Sequence, residues 1–138
     1  MYRSMKIASD HRPMTGSGSC ILGVRTPLDI APDDKANVSG GRGGMSVDAS
    51  VEHIDIQFLP RRLHKSGHVA GAIGNNSLHI WLIGEGPFFD TAVTEALNLR
   101  LKPDDSEHGF VEPAIPMSLD NYQSSLAATR DDWRDTGL

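Results

Sequence analysis

Glycine and proline interrupt this chain so often that long helices cannot dominate its fold. The 138 residues include 14 glycines and 8 prolines. One stretch, residues 27–44, reads PLDIAPDDKANVSGGRGG and favours a long loop. The composition predicts more loop and short strand than a helix bundle contains. A chain of this length is typical of one domain, so we expect residues 1–138 to form a single domain.

Alternating apolar and polar residues predict several short strands. At the start of the chain, Arg3, Met5 and Ile7 share one side of an expected strand, which places the arginine on a mostly apolar face. Similar alternation, or a short apolar run bounded by turn residues, predicts the others. The predicted strands cover residues 1–8, 20–26, 51–59, 77–83 and 108–113.

Helical spacing of apolar residues predicts two helices. The first begins at Pro87, since proline suits the first helical position. The second follows Ser118, whose side chain can cap it. The expected apolar stripes are Phe89, Val93, Ala96 and Leu97 in the first helix, and Leu119, Tyr122, Leu126 and Trp133 in the second. We expect the second helix to pack against the sheet.

The charge balance disfavours nucleic acid as a partner. With 13 basic and 18 acidic residues, the net charge of -5 repels a phosphate backbone over most of the surface. A cleft holding a few arginines would still attract one anionic ligand. Arg3, Arg42, Arg61 and Arg62 are available for such a pocket.

The cysteine count and hydropathy predict a cytoplasmic protein. Cys20 is the only cysteine, so the chain forms no internal disulfide and suits a reducing compartment. No stretch approaches the roughly 20 apolar residues of a membrane span, and the first residues lack the apolar region of a signal peptide. If the protein leaves its cell, we expect a secretion machine to carry it.

Four polar residues are candidates for a functional site. Arg3 on an apolar strand face needs an anionic partner, either an internal carboxylate or a ligand phosphate, and the internal salt bridge is the commoner case. Ser46 follows GGRGGM, whose glycines allow close approach of a ligand. That spacing matches neither the dinucleotide loop nor the phosphate loop, and a flexible surface loop is the more frequent meaning of such a run.

His108 and Glu112 lie four residues apart on a predicted strand, so both should project to the same side. A carboxylate beside a ribose stabilises the cation that develops as a glycosidic bond breaks, while an imidazole holds a hydroxyl or a phosphate. The structural alternative is a glutamate that binds a backbone amide or an arginine, and a histidine that is merely half-buried.

No metal site is expected. His64 and His68 have the spacing of two ligands on a helix, but Gly67 lies between them and no third ligand is evident. A serine hydrolase is weakly supported because the sequence has no G-x-S-x-G motif.

The order of short motifs is similar to that of a known family. Tyr2-Arg3 opens the chain, Gly43 to Asp48 read GGMSVD, and the C-terminal part has His108, Pro113 and Pro116-Met117 before a helix with Tyr122, Leu126 and Trp133. This order resembles small bacterial type VI secretion effectors with an ADP-ribosyltransferase-like fold.

The resemblance implies an α+β fold in which short antiparallel strands form a small split sheet with about two helices and long loops. It implies a toxin that uses NAD as co-substrate, transferring ADP-ribose to a macromolecule or hydrolysing NAD. Ser46 and His108 would be the functional serine and histidine, and Arg3, with Tyr2 and Gly44, would bind NAD. Glu112 would act as the glutamate does in many ADP-ribosyltransferases. A cognate immunity protein is the expected partner.

Two other functions remain open on the sequence. A metal-independent ribonuclease toxin could use His64, His68 and His108 with the Arg61-Arg62 pair for acid, base and phosphate contacts. A non-catalytic binding or immunity module could use the glycine-rich loop and an exposed helix face for recognition.

Overall fold

A computed structural model describes residues 1–138, apart from the side chain of Glu95. The protein is α+β, with a curled antiparallel sheet of seven strands in the order β5-β6-β7-β3-β1-β4-β9 and a separate pair, β2-β8. The strands are β1 (Tyr2–Lys6), β2 (Asn37–Val38), β3 (Met45–Asp48), β4 (Leu78–Leu82), β5 (Thr91–Thr94), β6 (Leu99–Pro103), β7 (His108–Pro113), β8 (Met117–Ser118) and β9 (Arg134–Asp135). The helices are α1 (Arg62–Lys65) and α2 (Leu119–Ala128).

Three of the predicted strands are confirmed. They are β1, β4 and β7, and the last matches the predicted 108–113 at both ends. Alternation also predicts their faces correctly, because Met5 and Trp81 are buried in one core cluster and Ile80 lies in another on the opposite side of the sheet.

The predicted strand at 51–59 is wrong. This segment forms two 3-10 turns, Val51–His53 and Ile56–Phe58. The Asp55 carboxylate accepts hydrogen bonds from the Gln57 amide N–H at 3.0 Å and from Gln57 Nε2 at 3.1 Å, so a local side-chain bond replaces strand pairing.

The predicted helix from Pro87 is also wrong, since Thr91–Thr94 pairs with β6 as an edge strand. Thr91, Val93 and Thr94 are β-branched and suit that strand. Residues 20–26 form no strand either. Gln123 of α2 holds them instead, because its side-chain amide accepts from the Val24 N–H at 3.1 Å and donates to the Val24 carbonyl at 2.8 Å.

Helix α2 is confirmed, with Ser118 as its cap. The Ser118 hydroxyl accepts a hydrogen bond from the Asn121 N–H at 3.1 Å. Tyr122 and Leu126 are fully buried. The Tyr122 hydroxyl donates to the Val111 carbonyl and accepts from the Met45 N–H, which joins the helix to β7 and β3. Trp133 lies beyond the end of the helix but packs in the same cluster.

Two layers cover opposite faces of the sheet. The larger core cluster lies between one face and α2 with the loop that precedes β2. The smaller cluster packs the segment from Val51 to Ala72 onto β1 and β4. Among the described residues, the second layer does not extend over β3 and β7. The uncovered part of the sheet forms a cleft beside Ile54 and Phe58.

The sheet opens between its two central strands. β1 pairs with β4 over five residues, but with β3 only through Tyr2 and Asp48. Beyond that pair, β1 and β3 bond to a loop between them and not to each other. The Lys6 N–H donates to the Cys20 carbonyl, and the Gly44 N–H donates to the Asp29 carbonyl. The expected split sheet is therefore a single sheet with a local opening.

In the described part of the chain, no helix combines the length and the apolar character needed to cross a membrane.

Candidate functional site

A cleft of about 500 Å³ lies where β1 and β3 separate. The two strands, the loop at 19–29, the 3-10 turns and the β6–β7 turn all contribute to its walls. Its lining residues are Arg3, Ser4, Ser19, Cys20, Arg25, Asp29, Ser46, Asp48, His53, Ile54, Asp55, Phe58, Asp105, Glu107 and His108. Three of the predicted site residues, Arg3, Ser46 and His108, meet in this cleft.

Arg3 spans the opening in the sheet. Its Nη1 donates to the Ser46 carbonyl at 2.7 Å and its Nη2 to the Ile21 carbonyl at 3.2 Å. Its Nε is buried and has no hydrogen-bond partner among the described residues, and no described carboxylate lies within ion-pair distance. Burial lowers the pKa of the guanidinium, although Asp29 and Asp48 attract the charge from farther away. A cation left without a paired carboxylate favours an anionic ligand.

Ser46 owes its position to the alternation of β3. Met45 and Val47 point into the core and are almost fully buried, whereas Ser46 and Asp48 face the cleft. The Ser46 carbonyl is occupied by Arg3, and its hydroxyl forms no hydrogen bond with a described residue. That hydroxyl is therefore available to a ligand.

His108 begins β7 directly opposite Asp48 of β3. Its Nδ1 lies 3.0 Å from both carboxylate oxygens of Asp104, and its ring packs edge-on against Phe110 with centroids 5.1 Å apart. These contacts hold the imidazole in one orientation. Its Nε2 has no partner among the described residues.

Asp48 also lies in the cleft, a residue that the sequence reasoning overlooked. Burial raises its pKa to about 6, although His108 and Arg3 act in the opposite direction. Because Asp48 is two residues from Ser46, strand alternation already predicts that the two share a face. That signal was available in the sequence.

Replacing Asp48 with asparagine should stabilise the protein at pH 7. The pKa of Asp48 rises on folding from 3.8 to about 6, so ionising it costs stability above pH 6, while below pH 4 both states are protonated and the cost disappears. Full burial would make this cost about 3 kcal/mol, and solvent screening of a half-buried carboxyl reduces it to about 1 kcal/mol. Urea unfolding of Asp48→Asn and wild type at pH 7 and pH 4 measures it. Equal stability at pH 7 would contradict the prediction.

Glu112 does not lie in the cleft, contrary to the expected convergence of four side chains. It is 3% exposed, its Oε2 accepts from the Gly41 N–H at 2.8 Å, and its Oε1 lies 3.0 Å from Arg100 Nε. Arg100 Nε has no hydrogen bond of good geometry, so the second contact is an ion pair alone. Glu112 shares a strand face with His108, as predicted, but the glycine-rich loop covers its end of the strand.

Tyr2 and Gly44, the other predicted NAD contacts, lie outside the cleft lining as well. Tyr2 is half-buried against the smaller core cluster. Gly44 has φ 154°, and a Cβ there would meet the Val111 carbonyl oxygen at 2.7 Å, so it is needed for close packing of β3 against β7. Gly44 reaches the site indirectly, through the hydrogen bond from its N–H to the loop residue Asp29.

Two charge pairs in the cleft were also missed. Arg25 and Asp29 form a bidentate pair, with Nε and Nη2 donating at 3.1 and 3.0 Å. His53 Nε2 lies 3.5 Å from Glu107 Oε1. The four-residue spacing of Arg25 and Asp29 was the only sequence signal, because the turns that bring in His53 and Glu107 are set by tertiary packing.

The remaining predicted arginines do not reach this cleft. Arg62 donates to the carbonyl oxygens of Asn76, Leu78 and Leu138, and Arg61 Nε donates to that of Gly74. Arg42 is exposed on the glycine-rich loop.

The site thus combines an arginine without a paired carboxylate, a serine, a histidine and several carboxylates in one cleft of an antiparallel sheet. Among the described residues, no group of three or more His, Cys, Asp or Glu side chains is placed to hold a metal ion. Comparison of the chain with protein-family models, curated proteins and solved structures gives no match.

Proposed function

We propose that this cleft binds NAD and breaks the bond between nicotinamide and ribose, so that the protein is an ADP-ribosyltransferase-like toxin. The observation that carries the proposal is Arg3, a guanidinium without a paired carboxylate that lines the same cleft as Ser46 and His108. A half-buried arginine of this kind favours a phosphate ligand, since Nη1 and Nη2 each keep a second N–H after bonding to the Ser46 and Ile21 carbonyls.

The charges of the cleft suit the pyrophosphate and the nicotinamide ribose of NAD. Arg3 lies by the loop at 19–29, where it would attract the pyrophosphate. Asp48 and Glu107 line the wall nearer His108, where negative potential would favour the cationic nicotinamide ribose. Phe58, the last residue of the second 3-10 turn, lines the cleft and offers an apolar surface to a flat ring.

In this proposal the three predicted residues that line the cleft have separate roles. Arg3 binds a phosphate or a ribose oxygen, and its bond to the Ser46 carbonyl holds β3 beside the ligand. The Ser46 hydroxyl hydrogen-bonds the nicotinamide ribose. Asp104 orients His108 through Nδ1. The Nε2 of His108 then donates a hydrogen bond to a ribose hydroxyl or accepts one from it, which positions that hydroxyl.

The direct test is to incubate the purified protein with NAD, with and without a bacterial lysate. We expect nicotinamide release, measured by chromatography, and a mass increase of one ADP-ribose on a lysate component if a macromolecule is the acceptor. Nicotinamide release without a labelled component would indicate NAD hydrolysis. No release under either condition would overturn the proposal.

The toxin role has its own test. An active toxin that acts on cytoplasmic targets should arrest growth when expressed inside a bacterial host, and co-expression of the expected immunity protein should restore growth. A binding or immunity module would be tolerated without such a partner.

A metal-independent ribonuclease remains a second candidate because of one observation. His53 and His108 line the same cleft as Arg3, which supplies two imidazoles beside a phosphate-binding group. The histidines first considered for this role, His64 and His68, do not line it. RNA cleavage in the presence of a chelator, with no nicotinamide release from NAD, would favour this function over the first.

A further inference from the structure

The cleft contains several carboxylates, and their contacts separate them into two kinds. Five acidic side chains line it: Asp29, Asp48, Asp55, Asp105 and Glu107. A carboxylate that stabilises a developing cation must have oxygens that are not already committed to protein donors.

Four of the five have at least one oxygen in a hydrogen bond or an ion pair with the protein. Asp29 accepts from the N–H, Nε and Nη2 of Arg25. Asp55 holds the second 3-10 turn through Gln57, and Asp105 accepts from the N–H groups of Glu107 and His108 at 2.7 Å each. Glu107 pairs with His53, and its side chain is 60% exposed, so solvent weakens its field.

Asp48 is different, because its carboxylate forms no hydrogen bond or ion pair with a described residue although it is half-buried. It lies on the face of β3 that also carries Ser46 and directly opposite His108. Its oxygens are therefore free and are flanked by two residues of the proposed ribose site.

We propose that Asp48, rather than Glu112, is the catalytic carboxylate of this cleft. The inference rests on the proposed NAD cleavage. In that reaction the bond between ribose C1′ and the nicotinamide nitrogen breaks, and its electron pair leaves with neutral nicotinamide. The positive charge that remains is shared by C1′ and the ring oxygen, and the Asp48 carboxylate stabilises it. Water or an acceptor nucleophile then adds to C1′ and loses a proton to solvent.

The test compares Asp48→Asn with Glu112→Gln in the whole protein. For Asp48→Asn we expect kcat for nicotinamide release to fall at least about 100-fold. The dissociation constant for NAD should rise by less than about tenfold, because Asp48 attracts the cationic nicotinamide ring as well as the transition state. Glu112→Gln keeps an acceptor for the Gly41 N–H and is the matched control, with kcat within about threefold of wild type. Circular dichroism and thermal unfolding of each variant establish that both are folded.

The dependence of nicotinamide release on pH distinguishes a catalytic role of Asp48 from a structural one, because a structural role would not change that dependence. The groups facing Asp48 are His108 on β7, Arg3 on β1, His53 on the first 3-10 turn and Asp104 on the β6–β7 turn. Since the pKa of Asp48 in the ligand-free protein is about 6, we expect the wild-type kcat/KM to fall about tenfold per pH unit below that value. The residual kcat/KM of Asp48→Asn should not show this decrease at low pH.

The outcomes separate the inference from the function on which it rests. If wild type releases nicotinamide and Asp48→Asn does so at a similar rate, the assignment of Asp48 is overturned while NAD cleavage stands. If Glu112→Gln is folded and loses activity, the carboxylate is Glu112. If wild type neither binds nor cleaves NAD, the proposed function and the assignment both fail.

Discussion

Arg3→Met should weaken NAD binding by about 100-fold or more and reduce nicotinamide release in proportion. Methionine fills a similar volume but carries no charge, so the phosphate loses its charge-assisted hydrogen bonds. Two such bonds contribute about 3 kcal/mol together, which corresponds to roughly a 100-fold change in the dissociation constant. Titration calorimetry with NAD, and a nicotinamide release assay at saturating and limiting NAD, measure the two effects.

Two further variants show whether the weaker NAD binding is due to loss of the Arg3 guanidinium. Arg3→Lys keeps the charge but cannot bond both the Ser46 and Ile21 carbonyls, so we expect an intermediate loss of about tenfold. Arg12→Met removes an arginine that is paired with Asp131 outside the cleft and should leave NAD binding unchanged. An Arg3→Met protein that is folded and binds NAD as tightly as wild type would contradict the assignment of Arg3 to the phosphate.

Glu112→Ala should lower the free energy of unfolding by about 3 kcal/mol. The substitution removes the acceptor of the Gly41 N–H and the partner of Arg100, and it leaves both groups in a site where the glutamate is only 3% exposed. Breaking a buried pair from one side costs about 3–5 kcal/mol, and the lower end applies because Arg100 is partly exposed. Urea unfolding followed by tryptophan fluorescence measures the change.

The control for this prediction is another glutamate that pairs with an arginine. Glu85 lies 3.3 Å from Arg134 with its side chain 82% exposed, so Glu85→Ala should change the unfolding free energy by less than about 0.5 kcal/mol. Glu112→Gln should lose less stability than Glu112→Ala, because an amide oxygen can still accept from Gly41. If Glu112→Ala unfolds at the same urea concentration as wild type, Glu112 has no anchoring role for the glycine-rich loop.

These two predictions assign opposite roles to residues that the sequence placed in one site. Arg3 lacks a paired carboxylate and lies in the cleft, whereas Glu112 is buried and committed to partners outside it. Both were nominated as charged side chains on predicted strands, Arg3 because its strand face is apolar and Glu112 because it lies four residues from His108. Only the contacts distinguish a residue available to a ligand from one already neutralised by the protein.

The sequence pattern predicted secondary structure correctly where an element depends on neighbouring residues. Strands β1, β4 and β7 follow from alternation, and the start of α2 follows from the Ser118 cap, since each depends on residues close in sequence. Local pattern failed at 51–59 and at Pro87, because the Asp55 turn and the pairing with β6 competed with the apolar spacing. The spacing of apolar residues does not reveal a side-chain hydrogen bond that forms a turn, nor pairing with another strand.

The sequence by itself determined strands β1, β4 and β7, the capped helix and the presence of Arg3 and His108 on strands, because side-chain period follows directly from backbone geometry. Tertiary structure alone decided that β1 and β3 separate, that the strand face shared by Ser46 and Asp48 lines the cleft and that Glu112 lies outside it. The reason is that burial of a strand residue depends on which distant loop covers that part of the strand. The glycine-rich loop covers Glu112, and no layer among the described residues covers Asp48.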